Sequence, residues 1–459
     1  MSIFNRKKTF HFIGIGGAGM SGLAQILLQM GHQVSGSDQQ SSSTTADLAS
    51  KGVQIYLGHS PDNVKGADFV IYSSAVHAEN PEMQEARRRN LTLIRRAEML
   101  GQLMNRKFGI AIAGTHGKTT TTGFIGHLLI EAGLDPTVLV GGRLKEFQAN
   151  ARLGKSEYLV AEADEYDRSF LTLFPRIAVL TSLEADHLDI YHDVADLKET
   201  FIRFANQVSF DGSLIIDYDD VNIKDIQSRL QRTAISYGLQ AGADFQATDI
   251  HYEGNKTVFT VTGRNTNWGQ FEIQLPGAHN VKNALAAIAT GYELEIPDGV
   301  IRRALMTYSG VERRFDVKGI VADIMVVDDY AHHPTEVEAT LKGARSGWQR
   351  RILAVFQPHL YSRTRDFYRE FAAALSLADI VIVCDVYPAR EKYLPGISGS
   401  LIFEELQRRG HQHCLYVPDK SDVPAIIKPL LRNNDMVITM GAGDIFQIAD
   451  VLVKQLKEQ

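Results

Sequence analysis

Short apolar runs alternate with amphipathic stretches along most of this 459-residue chain, and that alternation constrains the fold more than any other feature. Runs such as Phe108-Gly-Ile-Ala-Ile-Ala113 lack the polar residue at every second position that a half-solvated strand carries. They predict strands covered on both faces, hence an α/β architecture with mainly parallel sheets. At roughly 150 residues per domain, the length predicts about three domains. The expected blocks are 1–105, 106–315 and 316–459. Strands are expected at 9–15, 33–37 and 68–73 in the first block, with a helix running to Met30. The second block is expected to carry strands at 108–113, 158–161 and 177–182 and a closing helix at 280–292. Its stretch 245–275 alternates in the manner of antiparallel strands. The third block repeats the doubly wound pattern, with strands at 325–328, 351–356, 380–385, 414–417 and 436–440 and helices at 335–344 and 365–375.

Composition narrows the class of function. With 48 basic and 54 acidic side chains the formal net charge is -6, which argues against broad binding to nucleic acid or an anionic membrane. Two cysteines, Cys384 and Cys414, cannot form a disulfide framework and fit burial in a reducing compartment. No apolar run is long enough for a membrane span, and the basic start runs at once into glycines rather than a cleavage site. A cytoplasmic enzyme is the expected class.

Two glycine loops carry the chemistry. Gly14-Ile-Gly16-Gly17-Ala-Gly19 sits between a strand and a helix, where glycines let backbone N–H groups and the helix N-terminus approach a pyrophosphate. Asp38 follows at the end of the next strand, where a ribose-binding acid lies in nicotinamide enzymes. A nucleotide sugar also carries a pyrophosphate, and a turn that only permits close packing is the bland alternative. The second loop is Gly114-Thr115-His116-Gly117-Lys118-Thr119-Thr120, opening a helix after the strand that ends at Ala113. Ile112 stands where the first glycine of the full P-loop pattern falls. The shorter pattern still brings Lys118 to the β/γ-phosphates of ATP and the Thr119 hydroxyl to Mg²⁺. A lysine at a helix start opposes the helix dipole unless an anion is near.

Two further strands end in Glu162-Ala-Asp164-Glu165 and Glu184-Ala-Asp186-His187. Parallel strands share one C-terminal edge, so Glu162 and His187 are candidate metal ligands there, while Asp164 and Asp186 read equally well as helix caps. His279, Asn280 and Asn283 open a later helix, as polar caps or as adenine contacts. Glu312-Arg-Arg314-Phe-Asp316 marks the expected hinge. The third block adds 328–336 and 357–365, rich in histidine and arginine at strand ends, an anion pocket in outline.

Together these motifs resemble the Mur ligase family of peptidoglycan synthesis over essentially the whole chain. Within the family, residues 14–20, 329–336, 357–365 and 387–391 resemble the member that adds the first amino acid. The resemblance implies three domains: an N-terminal Rossmann-like domain for the UDP-sugar, a central P-loop-type ATPase domain with a mostly parallel sheet, and a C-terminal Rossmann-like domain that brings the amino acid. It implies that Gly14, Gly16, Gly17, Gly19, Asp38, His59, Ser73 and Ser74 meet the nucleotide sugar. Residues 114–120, His279, Asn283, Arg314 and Asp329 then serve ATP, and Thr119, Glu162 and His187 hold Mg²⁺. Tyr330, His332, His359 and Arg363 fall near the amino acid and the acyl centre. The implied reaction phosphorylates the lactyl carboxylate of UDP-N-acetylmuramate with ATP. The amine of L-alanine then attacks the acyl phosphate; Lys118, His187 and His332 are the catalytic candidates, and a monomer or weak homodimer is expected. Tyr166 and Leu360 depart from the most common residues at their positions, and tyrosine at 166 is shared with murein-tripeptide recycling ligases. A nicotinamide dehydrogenase, resting on residues 14–19 and Asp38, leaves Lys118 unexplained. A non-catalytic ATP switch leaves the histidine-rich third block idle.

Overall fold

Three sheets form where the chain is most continuously apolar; the computed structural model describes residues 6–185, 190–389 and 391–458. The first sheet contains β1 (Thr9–Ile13), β2 (Gln33–Asp38), β3 (Gln54–Leu57), β4 (Phe69–Tyr72) and β5 (Thr92–Arg95). All pairings are parallel, in the order β3-β2-β1-β4-β5. Ile13 at the end of β1 pairs with both Ser37 and Tyr72. The chain leaves β1 in opposite directions there, which makes the crevice at the C-terminal ends of β1 and β4 the expected ligand position.

The second sheet has ten strands: β6 (Phe108–Ala113), β7 (Thr137–Leu144), β8 (Ala149–Arg152), β9 (Tyr158–Glu162), β10 (Ile177–Leu180), β11 (Ser213–Asp217), β12 (Thr233–Gly238), β13 (Phe245–Glu253), β14 (Lys256–Gly263) and β15 (Thr266–Ile273). Their order is β15-β14-β13-β12-β11-β10-β6-β9-β7-β8. β9 and β10 flank β6 in parallel, so the segments after all three emerge on one edge. β13, β14 and β15 are joined by two-residue loops, which only antiparallel neighbours allow. Arg264 and Asn265 take φ of 50° and 62°, the twist of a tight hairpin turn.

The third sheet holds β16 (Asp316–Val321), β17 (Ile324–Asp329), β18 (Arg351–Phe356), β19 (Ile380–Val383), β20 (Cys414–Tyr416) and β21 (Asp435–Met440), ordered β16-β17-β21-β18-β19-β20. Only the β16–β17 pairing is antiparallel. Along β18, Ile352, Ala354 and Phe356 enter one apolar cluster and Leu353 and Val355 the opposite one. Helices cover both faces, and fully burying a side chain such as Phe356 contributes roughly 1.5–3 kcal/mol. Cys384 is buried, which pushes its thiol up to about 12, whereas Cys414 is only half-buried, contrary to the expected burial of both.

The chain divides into two compact units: Met1–Thr248 with Thr260–Phe271 and Lys282–Gly310, and Asp249–Phe259 with Glu272–Val281 and Val311–Gln459. The first unit contains the first sheet and most of the second. A single apolar cluster runs from Phe10 and Phe12 of β1 to Leu214 and Ile216 of β11. Among the described residues, no helix is long and apolar enough to cross a membrane.

Candidate active site

Both glycine loops form strand-to-helix turns. The helices Ala18–Gln29 and Lys118–Glu131 are N-capped by Gly17 and Gly117, with no side-chain cap and no acid in the first turn. The helices starting at Ser43, Pro81, Val194 and Val221 are capped by Ser42, Asn80, Asp193 and Asp220 side chains, while those starting at Tyr361, Ser400 and Phe446 also lack both a side-chain cap and a first-turn acid. A helix start without its own cap keeps backbone donors and positive dipole for an anion.

In the first loop, Gly14 turns at φ +77°. The Ser37 carbonyl accepts from Gly14 N (2.8 Å) and Ile15 N (3.0 Å), and Asp38 Oδ2 from Gly16 N (2.8 Å). Asp38 thus holds the loop itself, a role the sequence does not reveal. A Cβ at Gly19 would lie 2.9 Å from Arg96 Nη1, so the glycine makes room for a guanidinium beside the loop. Arg96 Nη2 in turn sits 3.2 Å from Asp164 Oδ2. Nothing in the sequence singled out Arg96; only the approach of its helix to the loop shows it. His59 follows the end of β3, and Ser73 and Ser74 follow β4, on the same edge as the loop.

The second loop is clasped by the segment after β10. His116 N donates to Ser182 Oγ (2.8 Å), Thr115 N to Ser182 O (3.1 Å), and Thr181 Oγ1 to His116 O (2.5 Å). The expected strand 177–182 accordingly ends at Leu180, because 181 and 182 turn to serve the loop. Lys118 Nζ pairs with Glu165 Oε2 at 2.8 Å and Oε1 at 3.0 Å, and also donates to the Gly114 carbonyl. Burial alone would drive the proton off this lysine, but Glu165 and Asp164 outweigh it and raise its pKa. Glu165 is the anion that a lysine at a helix start requires. Glu162 lies half-buried at the end of β9, beside the strand that leads into the loop, and its Oε1 accepts from Gly141 N at 2.5 Å. Asp164 Oδ1 accepts from Tyr166 N at 3.1 Å, but Glu165 rather than Asp164 stands at the N-cap of the turn that follows, so Asp164 is not a helix cap in the expected sense. Thr121 Oγ1 donates to Asn283 Oδ1 at 3.1 Å, which ties the loop's helix to Ala278–Glu293, the helix that also carries His279. Thr119 and Thr120 lie in the first turn after Lys118. His187 and Asp186 fall outside the described residues.

In the second unit, Arg313 and Arg314 separate in role. Arg313 Nε binds Asp328 Oδ2 at 3.1 Å and its Nη2 the Gly441 carbonyl at 2.6 Å, so it braces the sheet. Arg314 lies over the Tyr330 ring at 5.3 Å and 3.7 Å from Glu336 Oε1. Asp329 accepts backbone N–H groups from Phe315 and Ala331, each at 2.8 Å, and so fixes the backbone on either side of Arg314 and Tyr330. Burial pushes Asp329 up to about 6, against the opposing pull of Arg314. We expect its carboxyl to titrate near pH 6 by NMR; a midpoint near 4 would contradict the described burial. A raised carboxyl means that the folded state holds the extra proton between pH 4 and 6. Stability therefore falls as pH rises through that window, by up to about 3 kcal/mol from this group.

His332 Nδ1 lies 2.9 Å from the Tyr330 carbonyl and 3.1 Å from Glu336 Oε2. A carbonyl only accepts, so Nδ1 carries the hydrogen and Nε2 is the acceptor nitrogen of the neutral ring. The His359 ring packs edge-on to His332 at 5.9 Å and stacks on Tyr387 at 5.9 Å. Arg363 is buried on the helix Tyr361–Leu375. Glu391 accepts from Ser362 N at 3.0 Å, an anchor for the start of that helix. Leu360 takes φ +72°, ψ 136°, a conformation bulky residues avoid. Asp167, Arg168, Arg313 and Phe315 also take positive φ, as do turn residues elsewhere in the chain such as Asn90, Glu295 and Asn434.

Comparison with known proteins identifies the family. The Mur ligase family catalytic domain matches residues 9–108, the Mur ligase middle domain 112–291, and the Mur ligase glutamate ligase domain 313–443. UDP-N-acetylmuramate--L-alanine ligase of Geotalea uraniireducens is 48% identical over 99% of both chains. The enzyme of that name in Salinibacter ruber is 47% identical over 98% of this chain and 96% of its own. The crystal structure of UDP-N-acetylmuramate-alanine ligase from Thermotoga maritima superposes with a TM-score of 0.86 at 28% identity, over 98% of this chain and 99% of that one. A murein peptide ligase from Psychrobacter arcticus gives 0.73 at 26% identity, with the same coverage. The chain belongs to the Mur ligase family.

Proposed function

We propose that this protein joins L-alanine to the lactyl carboxylate of UDP-N-acetylmuramate, converting ATP to ADP and phosphate, in peptidoglycan precursor synthesis. The observation that carries the reading is full-length likeness, at 48% and 46% identity, to relatives named for that reaction. The residues described above fit the chemistry. Gly14, Gly16, Gly17 and Gly19, with Arg96, receive the UDP pyrophosphate, and His59, Ser73 and Ser74 the rest of the nucleotide sugar. Gly114, Thr115, His116, Gly117, Lys118, Thr119 and Thr120 cradle the ATP phosphates; His279, Asn283 and Arg314 serve the nucleoside side, with Asp329 positioning Arg314. Blocks 1–105, 106–315 and 316–459 divide these tasks among nucleotide sugar, ATP and amino acid.

A hard, oxygen-rich donor set suits Mg²⁺, and the Glu162 carboxylate and Thr119 hydroxyl, with His187, would hold it. When bound, Mg²⁺ neutralises charge on the transferring phosphoryl group. Lys118 releases Glu165 and turns to the γ-phosphate as the lactyl carboxylate attacks. The alanine amine then adds to the acyl phosphate carbonyl and phosphate leaves. His332 Nε2 accepts the amine proton, its ring fixed through Nδ1. Tyr330, His359 and Arg363 orient the amino acid. The proposal includes a cytoplasmic location, where ATP and nucleotide sugars are supplied, and a monomer or weak homodimer without nucleic-acid or membrane partners.

The test supplies ATP, Mg²⁺, UDP-N-acetylmuramate and single amino acids and follows phosphate release. Alanine-dependent turnover is expected. Turnover with the murein tripeptide but not alanine would select the recycling ligase instead, for which Tyr166 speaks. NAD(P)H binding without turnover would select the dehydrogenase.

A further inference from the structure

Behind the first phosphate loop lies a buried carboxylate that no step of the proposed reaction uses. Glu82, near the start of the helix Pro81–Arg88, is fully buried. Ser37 Oγ donates to its Oε2 at 2.6 Å and Asn63 Nδ2 to its Oε1 at 2.5 Å. The Ser60 N–H reaches Oε1 at 3.4 Å. Two imidazoles face Oε2: His59 Nδ1 at 3.3 Å and His11 Nε2 at 3.6 Å. Burial on its own would protonate this carboxyl. The neighbouring His11 imidazole and the hydrogen bonds from Ser37 and Asn63 outweigh it and hold the group below the usual carboxylate range. An ionised acid with no water contact is costly unless donors satisfy it, so four hydrogen-bond donors on one side chain, with the His11 imidazole 3.6 Å away, mark a built arrangement.

Two features connect the cluster to the ligand edge. Ser37 belongs to both: its carbonyl accepts from Gly14 N and Ile15 N of the loop, while its hydroxyl donates to Glu82. His59 stands at the end of β3, where Gly58 N donates to Asp38 O at 2.8 Å. His11 is fully buried, whereas the His59 side chain keeps 16% of its surface. The Ser37 proton goes to Glu82, so the Ser37 oxygen, 3.1 Å from His59 Nδ1, accepts from it. In the neutral ring Nδ1 is then the protonated nitrogen and Nε2 the acceptor.

We propose that Glu82 is a positioning residue of the nucleotide-sugar site: through Ser37 and directly, it fixes the His59 ring and tautomer so that Nε2 accepts a hydrogen bond from a hydroxyl or N–H of the nucleotide sugar. The inference rests on the reading of His59 as a substrate residue.

Steady-state kinetics on the full-length enzyme separates the two. His59→Ala is expected to raise KM for UDP-N-acetylmuramate on the order of tenfold, the size of one good hydrogen bond. Glu82→Gln, which puts an amide donor among the cluster's donors, is expected to give a similar rise with kcat and the KM for ATP unchanged. Ser37→Ala, which removes the relay and leaves Asn63 and His11 on the carboxylate, is the second route should Glu82→Gln fold poorly. Combined with His59→Ala, neither variant should add a further rise, because partners in one network are not additive. If His59→Ala leaves that KM unchanged, the substrate reading of His59 falls and the inference with it. If His59→Ala raises it while both Glu82→Gln and Ser37→Ala do not, the inference alone falls. Additive double variants, or equal rises in the KM for ATP, would also overturn it.

Discussion

Lys118→Ala is expected to lower kcat on the order of 10³-fold or more, since phosphoryl transfer relies on positioning and charge neutralisation rather than covalent help. The same substitution is expected to weaken the fold. Glu165 is 2% exposed and Lys118 Nζ lies 2.8 Å from its Oε2, so the alanine removes the lysine from a buried ion pair. Breaking a buried pair from one side costs about 3–5 kcal/mol. The double variant Lys118→Ala/Glu165→Gln should regain most of that stability in chemical denaturation and none of the turnover in phosphate release. Turnover near normal in the single variant would remove the loop from the ATP site. Turnover restored in the double variant would show that the lysine matters only as a structural ion pair.

Gly114→Ala carries the second large effect. The residue sits at φ +141°, and a Cβ there would lie 2.1 Å from Thr181 Oγ1 and 2.8 Å from Ser182 N. Ser182 N is backbone, and residues 181 and 182 are the ones that clasp the loop through His116. The clash therefore cannot relax without moving the loop itself. A displacement of about 1 Å in such a site costs on the order of 10²-fold, expected here in kcat/KM for ATP. Gly117→Ala also needs positive φ (+82°), but its Cβ meets the end of the Asn283 side chain at 2.7 Å rather than backbone. Its loss should be nearer tenfold by the same reasoning. The reverse order of severity would contradict the described packing.

Much of this fold is legible in the sequence wherever burial is two-sided. β6 and β18 coincide with their apolar runs, 108–113 and 351–356, because nothing polar interrupts them. The reading thins where strands are short or half-exposed. β5, Thr92–Arg95, has no fully buried residue, and β8, Ala149–Arg152, is buried only through two alanines. β11 is different: Leu214, Ile215 and Ile216 are all buried, a signal that was present and too brief to stand out between polar neighbours. The site divides in the same way. Phosphate loops are local and announce themselves through glycine spacing. Arg96 beside Gly19, Glu165 on Lys118 and Glu82 on Ser37 pair across 77, 47 and 45 residues, and only the folded chain brings them together.

The helix that begins at the first phosphate loop is pinned to the second sheet at three points. Asn150 Nδ2 holds the Ala18 carbonyl at 2.7 Å and Ser21 Oγ at 2.8 Å, Gln25 Nε2 reaches the Ala151 carbonyl at 3.0 Å, and Leu153 N donates to Gln29 Oε1 at 3.0 Å. With Arg96 on Asp164, these bonds make the two glycine loops parts of one casting. The spacing between them is then a dimension of the folded chain, a gauge cut before any ligand arrives. If the two loops hold the nucleotide sugar and ATP as proposed, the distance from pyrophosphate to carboxylate in a substrate has to match that spacing.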